Sequence, residues 1–301
     1  MPVEISKIAW GGWPNCWRVT NGEVEVIVTA DVGPRLIRYA YLNGLNAFYE
    51  NTEELGQSGE PDFRVRGGHR LWTAPEQFPR TYAADNFPVD VRTQGALLEA
   101  TGPVDGSTGL RKQLLVRMAQ VGSAVTVIHR IENTLPWPVE VSPWTVTMMA
   151  PGGVGFTGFP PRGTHPEQLS PTNPLVMWAF TNFADPRWTF LERYLVLRQD
   201  ALRPSPQKAG LFNEKTWGAY WRDGLLFVKR ANAEPGRTYP DFGCSFEIWT
   251  NPTTLELETL GPLTKLEPGA MLEHAERWTL HNTAEPAWTD EGLDAVTAAV
   301  L

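Results

Sequence analysis

Apolar and polar residues alternate along most of the chain, in short runs that are separated by turn residues. Asn21-Gly22 and Asp223-Gly224 each stand between two such runs, and Asn43-Gly44 follows one. These residue pairs favour two-residue hairpin turns. The runs are rich in Val, Ile, Thr and aromatic residues, which favours strands over helices. The predicted strands are Trp17–Thr20, Glu23–Thr29, Arg35–Leu42, Gln113–Ala119, Ala124–Glu132, Val139–Met149, Val176–Thr181, Phe190–Leu197, Trp217–Trp221, Leu225–Lys229 and Thr254–Leu260.

One segment near the C-terminus has the periodicity of a helix. Thr289 can cap its first turn, which contains Asp290, and Leu293, Val296 and Val300 then share one face. The pattern as a whole predicts an all-β fold, an antiparallel β-sandwich of two packed sheets with this short helix at its end.

Neither a repeat nor a linker divides the chain, so residues 1–301 are predicted to form a single domain. Gly and Pro lie mostly between the predicted strands. They are frequent across Pro151–Pro174, which is predicted to be a long irregular segment.

The composition narrows the possible partners. The formal net charge of −8 argues against nucleic acid, which binds clustered Lys and Arg. No apolar run approaches the roughly 18 residues that a membrane span needs. Glu4 and Lys7 interrupt the position of a secretory signal, so a cytoplasmic protein with no membrane partner is expected. Cys16 and Cys244 are expected to be two buried thiols.

Tryptophan is unusually frequent, with 13 residues in the chain. Its large rings can stack on the C–H faces of sugars, or they can fill the core of a sandwich. The composition alone leaves both interpretations open.

The strand Thr254–Leu260 carries the most informative chemistry. Leu255, Leu257 and Thr259 alternate with Glu256 and Glu258, so the two carboxylates are predicted on one face, roughly 7 Å apart. A carboxylate on a rigid strand near aromatic rings can accept a proton from a sugar hydroxyl. Carbohydrate chemistry is therefore the leading hypothesis, and a small sugar or sugar derivative is the expected partner.

A second candidate site is the segment Arg64–Trp72, in which Arg66, His69, Arg70 and Trp72 surround a Gly pair. Glycine lets the backbone approach a ligand, and the planar donor fork of Arg suits vicinal hydroxyls or carboxylates. Glu76 and Tyr82 follow closely and are predicted to contribute to the same binding site.

The histidines do not form a metal motif, and no metal or other cofactor is expected. The pattern of glycines over Gly153–Gly158 resembles a dinucleotide loop, but Pro160 prevents the helix that must follow. His274 and Glu276 share a strand face. They are interpreted as the exposed end of an amphipathic strand in preference to a buried acid–base pair.

Short motifs then resemble a known superfamily. Arg66-Gly67-Gly68 and the longer Gly-Gly-His-Arg-Leu-Trp occur early, and Leu257-Glu258-Thr259 occurs close to the C-terminus within Glu-Leu-Glu-Thr-Leu-Gly-Pro-Leu. In this order and spacing the chain resembles the galactose mutarotase-like superfamily, which includes the aldose 1-epimerases and hexose-6-phosphate epimerases. The resemblance is to an uncharacterised branch.

The resemblance implies a β-supersandwich with a sugar cleft on one concave sheet. It implies that Glu258 is the general base for the anomeric hydroxyl and that Arg66 is a binding residue. The superfamily also uses a histidine acid in a mid-chain strand, but the corresponding strand here, Val141–Thr147, has Trp144 and no histidine. His69 is therefore the candidate for the missing acid.

Three functions follow from these observations. The first is an isomerase of the aldose 1-epimerase type, with Glu258 and His69 as catalytic residues. The second is a sugar-binding or sensing protein that stacks its ligand on Trp72, Trp144 and Trp249. The third is a lyase that acts on an acidic sugar, with Tyr82 as base beside Arg70 or Arg80.

Four further residues were considered as site candidates. Glu247 and Asp241 are predicted to contribute to substrate binding, while Lys208 and Trp217 are weaker candidates from the neighbouring region.

Overall fold

A computed structural model describes residues 2–301 and contains 21 strands and one helix. The predicted all-β class is confirmed, and every pairing between its strands is antiparallel. The strands are β1 (Glu4–Trp10), β2 (Trp13–Thr20), β3 (Val24–Thr29), β4 (Arg35–Tyr41), β5 (His69–Ala74), β6 (Asp90–Gln94), β7 (Leu97–Val104), β8 (Leu110–Met118), β9 (Val125–Asn133), β10 (Val139–Met149), β11 (Val154–Gly158), β12 (Leu175–Met177), β13 (Trp188–Phe190), β14 (Tyr194–Arg198), β15 (Gln207–Leu211), β16 (Trp217–Arg222), β17 (Leu225–Arg230), β18 (Phe246–Thr250), β19 (Leu255–Leu260), β20 (Thr264–Leu266) and β21 (Met271–Asn282).

The strands form two large sheets. The first sheet has the order β1-β2-β3-β4-β5-β10-β19-β18-β15-β12, with β20 paired to β10. The second sheet has the order β13-β14-β11-β16-β17-β21-β9-β8-β7-β6. Neighbouring strands are often distant in sequence. For example, β19 pairs with β10, which precedes it by more than 100 residues.

The main hydrophobic core lies between the two sheets. Along β9, buried residues alternate with partly exposed ones, so Val125, Val127 and Ile131 point into the core. Leu71 and Leu257 enter the same core from the first sheet. The period-2 pattern of the sequence thus decides which face of each strand is buried.

The predicted C-terminal helix is confirmed as α1 (Asp290–Val300). The Thr289 side chain accepts a hydrogen bond from the backbone N–H of Gly292, which satisfies one of the unpaired amides at the helix start. Leu293 packs into a smaller core on the outside of the second sheet with Phe156 and Val228.

Two sequence-based interpretations are wrong. The segment Pro151–Pro174 is not irregular throughout, because it contains β11, whose five residues are all buried. His274 and Glu276 are buried, with only 7% and 1% of their surfaces exposed, because their face of β21 points between the sheets. In both cases the tertiary partner, and not the local pattern, determines the environment.

Gly67 and Gly68 adopt φ values of 90° and 73°, which L side chains rarely adopt. A Cβ at Gly67 would lie 2.1 Å from the carbonyl oxygen of Tyr49, and a Cβ at Gly68 would lie 2.3 Å from that of Leu36. This glycine pair therefore permits close approach of protein backbone.

Cys16 and Cys244 are both buried and unbonded, as expected. Within residues 2–301, no helix combines the length and apolar character that crossing a membrane requires.

Candidate functional site

The centre of the first sheet carries two different sets of side chains on its two faces. Strands β5, β10, β19, β18 and β15 are consecutive neighbours there. Their register aligns Arg70 with Val146, Val146 with Glu258, and Glu258 with Glu247. Since directly opposed residues point the same way, these side chains share the face directed away from the second sheet. We call this the outer face.

A cavity of about 360 Å³ lies on the outer face. Strand residues form its floor, and loops that follow β4, β5, β12 and β18 form its walls. Its lining residues are Phe63, Val65, Arg70, Trp72, Glu76, Tyr82, Trp144, Val146, Met148, Trp178, Phe180, Pro206, Lys208, Trp249, Asn251, Thr253 and Glu256.

Aromatic rings form much of this lining. The Trp72 ring lies edge-on to Trp144, with centroids 5.1 Å apart, and to Tyr82, with centroids 5.2 Å apart. Trp178 and Trp249 contribute from the opposite side. Such contacts fix the orientation of the rings, so the cavity presents rigid apolar surfaces.

Lys208 joins two buried carboxylates at the cavity floor. Its Nζ donates a hydrogen bond to Oε2 of Glu258 at 2.9 Å. It also lies 2.7 Å from Oε2 of Glu247, an ion pair that lacks the alignment of a hydrogen bond. Burial alone would lower the pKa of Lys208, but the two carboxylates outweigh burial and raise it. Its ammonium also lies 4.7 Å from the Trp144 ring centre and 4.6 Å from that of Trp178.

Glu258 is fully buried just beyond the cavity lining. Besides Lys208, its Oε2 accepts the indole N–H of Trp144 at 2.7 Å. Its Oε1 has no hydrogen-bond partner in the described part of the chain. One oxygen is thus held by two donors, while the other is buried and has no donor among residues 2–301.

Glu256 reaches the cavity two residues before Glu258 on the same face of β19. Burial, reinforced by the charge of Glu258, raises the pKa of Glu256 to about 8. At neutral pH this carboxyl is mostly protonated, and it can therefore donate a proton or a hydrogen bond.

Arg70 packs against two aromatic rings at the edge of the cavity. Its guanidinium carbon is 4.1 Å from the ring centre of Trp72 and 4.2 Å from that of Phe63, and these two rings also contact each other, so they do not enclose it from opposite faces. The residue is 3% exposed, and burial lowers its pKa. Its Nε and Nη2 lack hydrogen-bond partners among residues 2–301.

Glu76 and Tyr82, both predicted site residues, lie together at the mouth of the cavity. The Tyr82 hydroxyl donates a short hydrogen bond to Oε1 of Glu76. Burial and this carboxylate raise the pKa of Tyr82. Arg70, Trp72, Glu76, Tyr82 and Trp144 therefore converge on one cavity.

His69 is placed elsewhere. It alternates with Arg70 on β5, so its ring points between the sheets, on the face opposite Glu258. Its Nε2 lies 2.6 Å from Nε2 of His129, and its Nδ1 lies 2.8 Å from the Thr147 hydroxyl. The acid–base partnership expected of His69 and Glu258 requires a shared pocket, and their positions do not provide one.

His69 instead belongs to a buried polar cluster, which we call the inter-sheet cluster: His69, His129, His274, Glu276 and Lys229. Lys229 Nζ lies 2.8 Å from Oε1 of Glu276. Burial would raise the pKa of Glu276, but Lys229 and the three histidines together outweigh it and hold that pKa well below its usual range. Burial lowers the pKa of His129 to about 4 and that of His274 to about 3.

The donor atoms of His69, His129 and Glu276 lie within 4.8 Å of one another, as metal ligands do. Their surroundings fit a hydrogen-bond network better. The Trp278 N–H donates to Oε2 of Glu276 at 2.8 Å, and Lys229 places a positive charge beside the same carboxylate. A cation at this position would be repelled by the Lys229 ammonium.

Three other predicted residues, Arg66, Asp241 and Glu247, lie outside the cavity lining. Arg66 is buried beneath a loop, where it pairs with Glu60 and donates to the carbonyl oxygen of Glu54 at 2.7 Å. Asp241 is partly buried close to Glu247, and burial raises its pKa. Trp217, a weaker candidate, packs in the outer core of the second sheet.

Sequence reasoning undervalued two polar residues of the site. Glu256 was identified as a strand carboxylate but not as a site residue, and Lys208 was only a weak candidate. Alternate residues of a strand share a face, so Lys208 and Gly210 lie on one face of β15. This alternation is a signal in the sequence for the direction of the Lys208 side chain. The missing information was the β15–β18 pairing that brings Lys208 to Glu247 and Glu258.

The chain matches no protein-family model and no curated protein sequence. Solved structures do resemble it. A candidate aldose 1-epimerase from Klebsiella pneumoniae has a TM-score of 0.59 at 12% identity, covering 99% of this chain and 86% of its own. A galactose mutarotase-like protein from Lactobacillus casei has a TM-score of 0.54 at 11% identity, covering 89% and 100%.

A galactose mutarotase related enzyme from Lactobacillus acidophilus has a TM-score of 0.56 at 10% identity, covering 90% of this chain and 98% of its own. Identities this low establish architecture and leave activity open. Together with the two sheets and the outer-face cavity, these similarities confirm the resemblance predicted from the sequence at the level of the fold: the chain has the galactose mutarotase-like fold.

Proposed function

We propose that the outer-face cavity binds an aldose or a closely related sugar derivative. The observation that carries this proposal is the meeting of four tryptophans, Trp72, Trp144, Trp178 and Trp249, with charged side chains in one cavity. Indole rings pack on the C–H faces of a sugar, while charged groups bind its hydroxyls. The volume of about 360 Å³ falls in the range of small-molecule sites, roughly 300–1,000 Å³.

The chemistry that best fits this cavity is ring opening and closing of the aldose 1-epimerase type. That reaction needs a base for the anomeric hydroxyl and an acid for the ring oxygen. Glu258, with its free Oε1, is proposed as the base. Glu256 is proposed as the acid in place of His69, because it lines the same cavity and its carboxyl is protonated at neutral pH.

A second candidate function is sugar binding without turnover. The position of Glu258 favours it, since this residue lies beyond the cavity lining and is held by Lys208 and Trp144. A base in that position is not exposed in the cavity that would hold the sugar.

A lyase acting through Tyr82 receives less support. A tyrosine base must lose its proton, but burial and Glu76 raise the pKa of Tyr82. The Arg80 guanidinium donates to the carbonyl oxygen of Pro75 at 2.9 Å, and Arg80 is not among the cavity-lining residues.

Anomer exchange measured by proton NMR tests the proposal, with glucose, galactose and their 6-phosphates as substrates. We expect wild-type protein to exceed the buffer rate, and Glu258→Gln to abolish the excess. Glu256→Gln should lower the rate and remove its decline above about pH 8. Glu267→Gln, an exposed carboxylate far from the cavity, is the matched control.

Saturation-transfer signals from the same samples separate the candidates. Sugar contact without accelerated exchange would establish binding alone and exclude the epimerase. Absence of both sugar contact and exchange would overturn the proposal.

A further inference from the structure

Arg70 is a buried cation without a counter-ion. Its side chain forms no hydrogen bond and no ion pair with residues 2–301, although only 3% of the residue is exposed. The ring centres of Phe63 and Trp72 lie 4.2 and 4.1 Å from the guanidinium carbon and 5.6 Å from each other, so both rings pack on one side of the group. Cation–π contact offsets part of the lost hydration, but it provides no acceptor for the N–H groups.

The neighbouring carboxylates do not fill this role. Asp85 has the strongest effect among them on the pKa of Arg70, after burial, but it pairs with Arg35 at 2.8 Å. Glu256 lines the same cavity but forms no hydrogen bond with Nε or Nη2 of Arg70. Since buried charges in proteins are almost always paired, the missing acceptor is expected from the occupant of the cavity that Arg70 lines.

The other cation of the cavity differs in this respect. Lys208 contacts two carboxylates, those of Glu247 and Glu258, so its charge is already compensated. The cavity therefore offers one uncompensated positive charge in a fixed position, held by aromatic rings.

We propose that the sugar bound in this cavity is acidic, carrying a single carboxylate that pairs with Arg70. The inference rests on the proposed function and names its substrate class: a uronate-type sugar in place of a neutral aldose. The sugar ring would then pack on the tryptophans while its carboxylate meets the guanidinium.

A carboxylate fits better than a phosphate for two reasons. One guanidinium balances the single charge of a carboxylate, whereas a phosphate dianion carries nearly twice that charge. Phosphate sites also commonly use backbone amides at a helix N-terminus. The only helix among residues 2–301, α1, packs on the second sheet and away from the cavity.

The test is a titration of tryptophan fluorescence or binding heat at low ionic strength. The ligands are glucuronate, glucuronamide, glucose and glucose 6-phosphate, together with the corresponding galactose series. Glucuronamide retains the shape of glucuronate without its charge. We expect the uronate of at least one series to bind about tenfold tighter than its amide, as a charge-assisted hydrogen bond predicts.

Arg70→Met should remove this preference, so that glucuronate binds no tighter than glucuronamide. Arg70→Lys should keep only part of the preference for the uronate, because Lys lacks the planar donor fork of Arg. Arg92→Met removes an exposed arginine on β6 and is the matched control. The affinities for glucuronate and glucuronamide are compared on wild-type protein, so this part of the test remains valid even if a variant fails to fold.

Equal affinity for acid and amide, with measurable binding of the neutral sugar, would overturn this inference while leaving the proposed function intact. Tighter binding of the 6-phosphate than of the uronate would overturn the assignment of a carboxylate. Absence of binding by every sugar would overturn both proposals.

Discussion

Glu258 and His69 lie on opposite faces of the first sheet, although only β10 separates the strands that carry them. Glu258 is directed toward the outer-face cavity with Lys208, whereas His69 contacts His129 between the sheets. The sheet itself therefore stands between the two groups. A proton donated by one cannot serve a substrate held by the other.

The first prediction concerns His69→Gln. We expect sugar binding and anomer exchange per folded molecule to stay at wild-type values, because the side chain does not reach the cavity. Stability should fall by about 1–3 kcal/mol, since the buried partners His129 and Thr147 lose a hydrogen bond. Urea unfolding and NMR exchange on the same sample check both parts. A loss of exchange at full stability would contradict this assignment.

The second prediction concerns Lys208→Met. It leaves Glu247 and Glu258 buried without their cation, so we expect a loss of about 3–5 kcal/mol in the free energy of unfolding. Replacing both carboxylates by Gln in the same variant should recover most of this loss. The exposed Lys265→Met is the control, with an expected change below about 0.5 kcal/mol. Failure of the triple variant to recover stability would show that Lys208 acts through packing alone.

The third prediction concerns acid stability and the inter-sheet cluster. Burial holds the pKa of His129 near 4, while the unfolded residue has the ordinary value of 6.5. The unfolded chain thus binds more protons below pH 6.5. The stability from neutral burial is complete above that pH and is lost as the pH falls toward about 4.

Thermal unfolding followed between pH 7 and pH 4 measures this loss. His129→Gln should reduce its slope by up to about 1.4 kcal/mol per pH unit, the value for one proton. Glu256 acts with the opposite sign, because its raised pKa gives a contribution that is lost as the pH rises from 4.5 toward about 8. The exposed His165→Gln should leave the slope unchanged. An identical slope for His129→Gln and wild type would argue against the cluster as the source.

The fourth prediction separates backbone strain from steric overlap. Gly67 and Gly59 have similar φ values of 90° and 84°, but a Cβ at Gly59 would meet nothing within 4 Å. Gly59→Ala should cost about 1–2 kcal/mol through conformation alone. Gly67→Ala should cost clearly more, because its Cβ would overlap the Tyr49 carbonyl at 2.1 Å. Equal losses in urea unfolding would contradict the role given to this contact.

Much of the fold follows from local pattern. Thr289 as a cap and the spacing of Leu293, Val296 and Val300 were enough to predict α1. The hairpin turns at Asn21-Gly22 and Asp223-Gly224 were found where expected. β11 was missed because two prolines and several glycines surround a strand that is buried on both faces, which leaves no alternation to detect.

The site was only partly predictable. Alternation placed Glu256 with Glu258, and the short segment from Arg70 to Tyr82 contains four of the cavity residues. The same parity argument, applied to β5, would have separated His69 from Arg70. Strands that are far apart in the sequence become neighbours in the sheet, and the local pattern does not reveal these pairings. Lys208 could not be assigned to Glu258 without knowing that β15 pairs with β18 and β18 with β19.

The two-sided character of the central strands has an evolutionary consequence. On β5 and β19, odd-numbered side chains pack between the sheets, while even-numbered side chains lie on the outer face that carries the cavity. A substitution at Arg70 or Glu256 can alter what is recognised without disturbing the residues that face the second sheet. Descendants of one ancestor could thus exchange their ligands freely while keeping their architecture. This is one way in which proteins only 10–12% identical can share this fold.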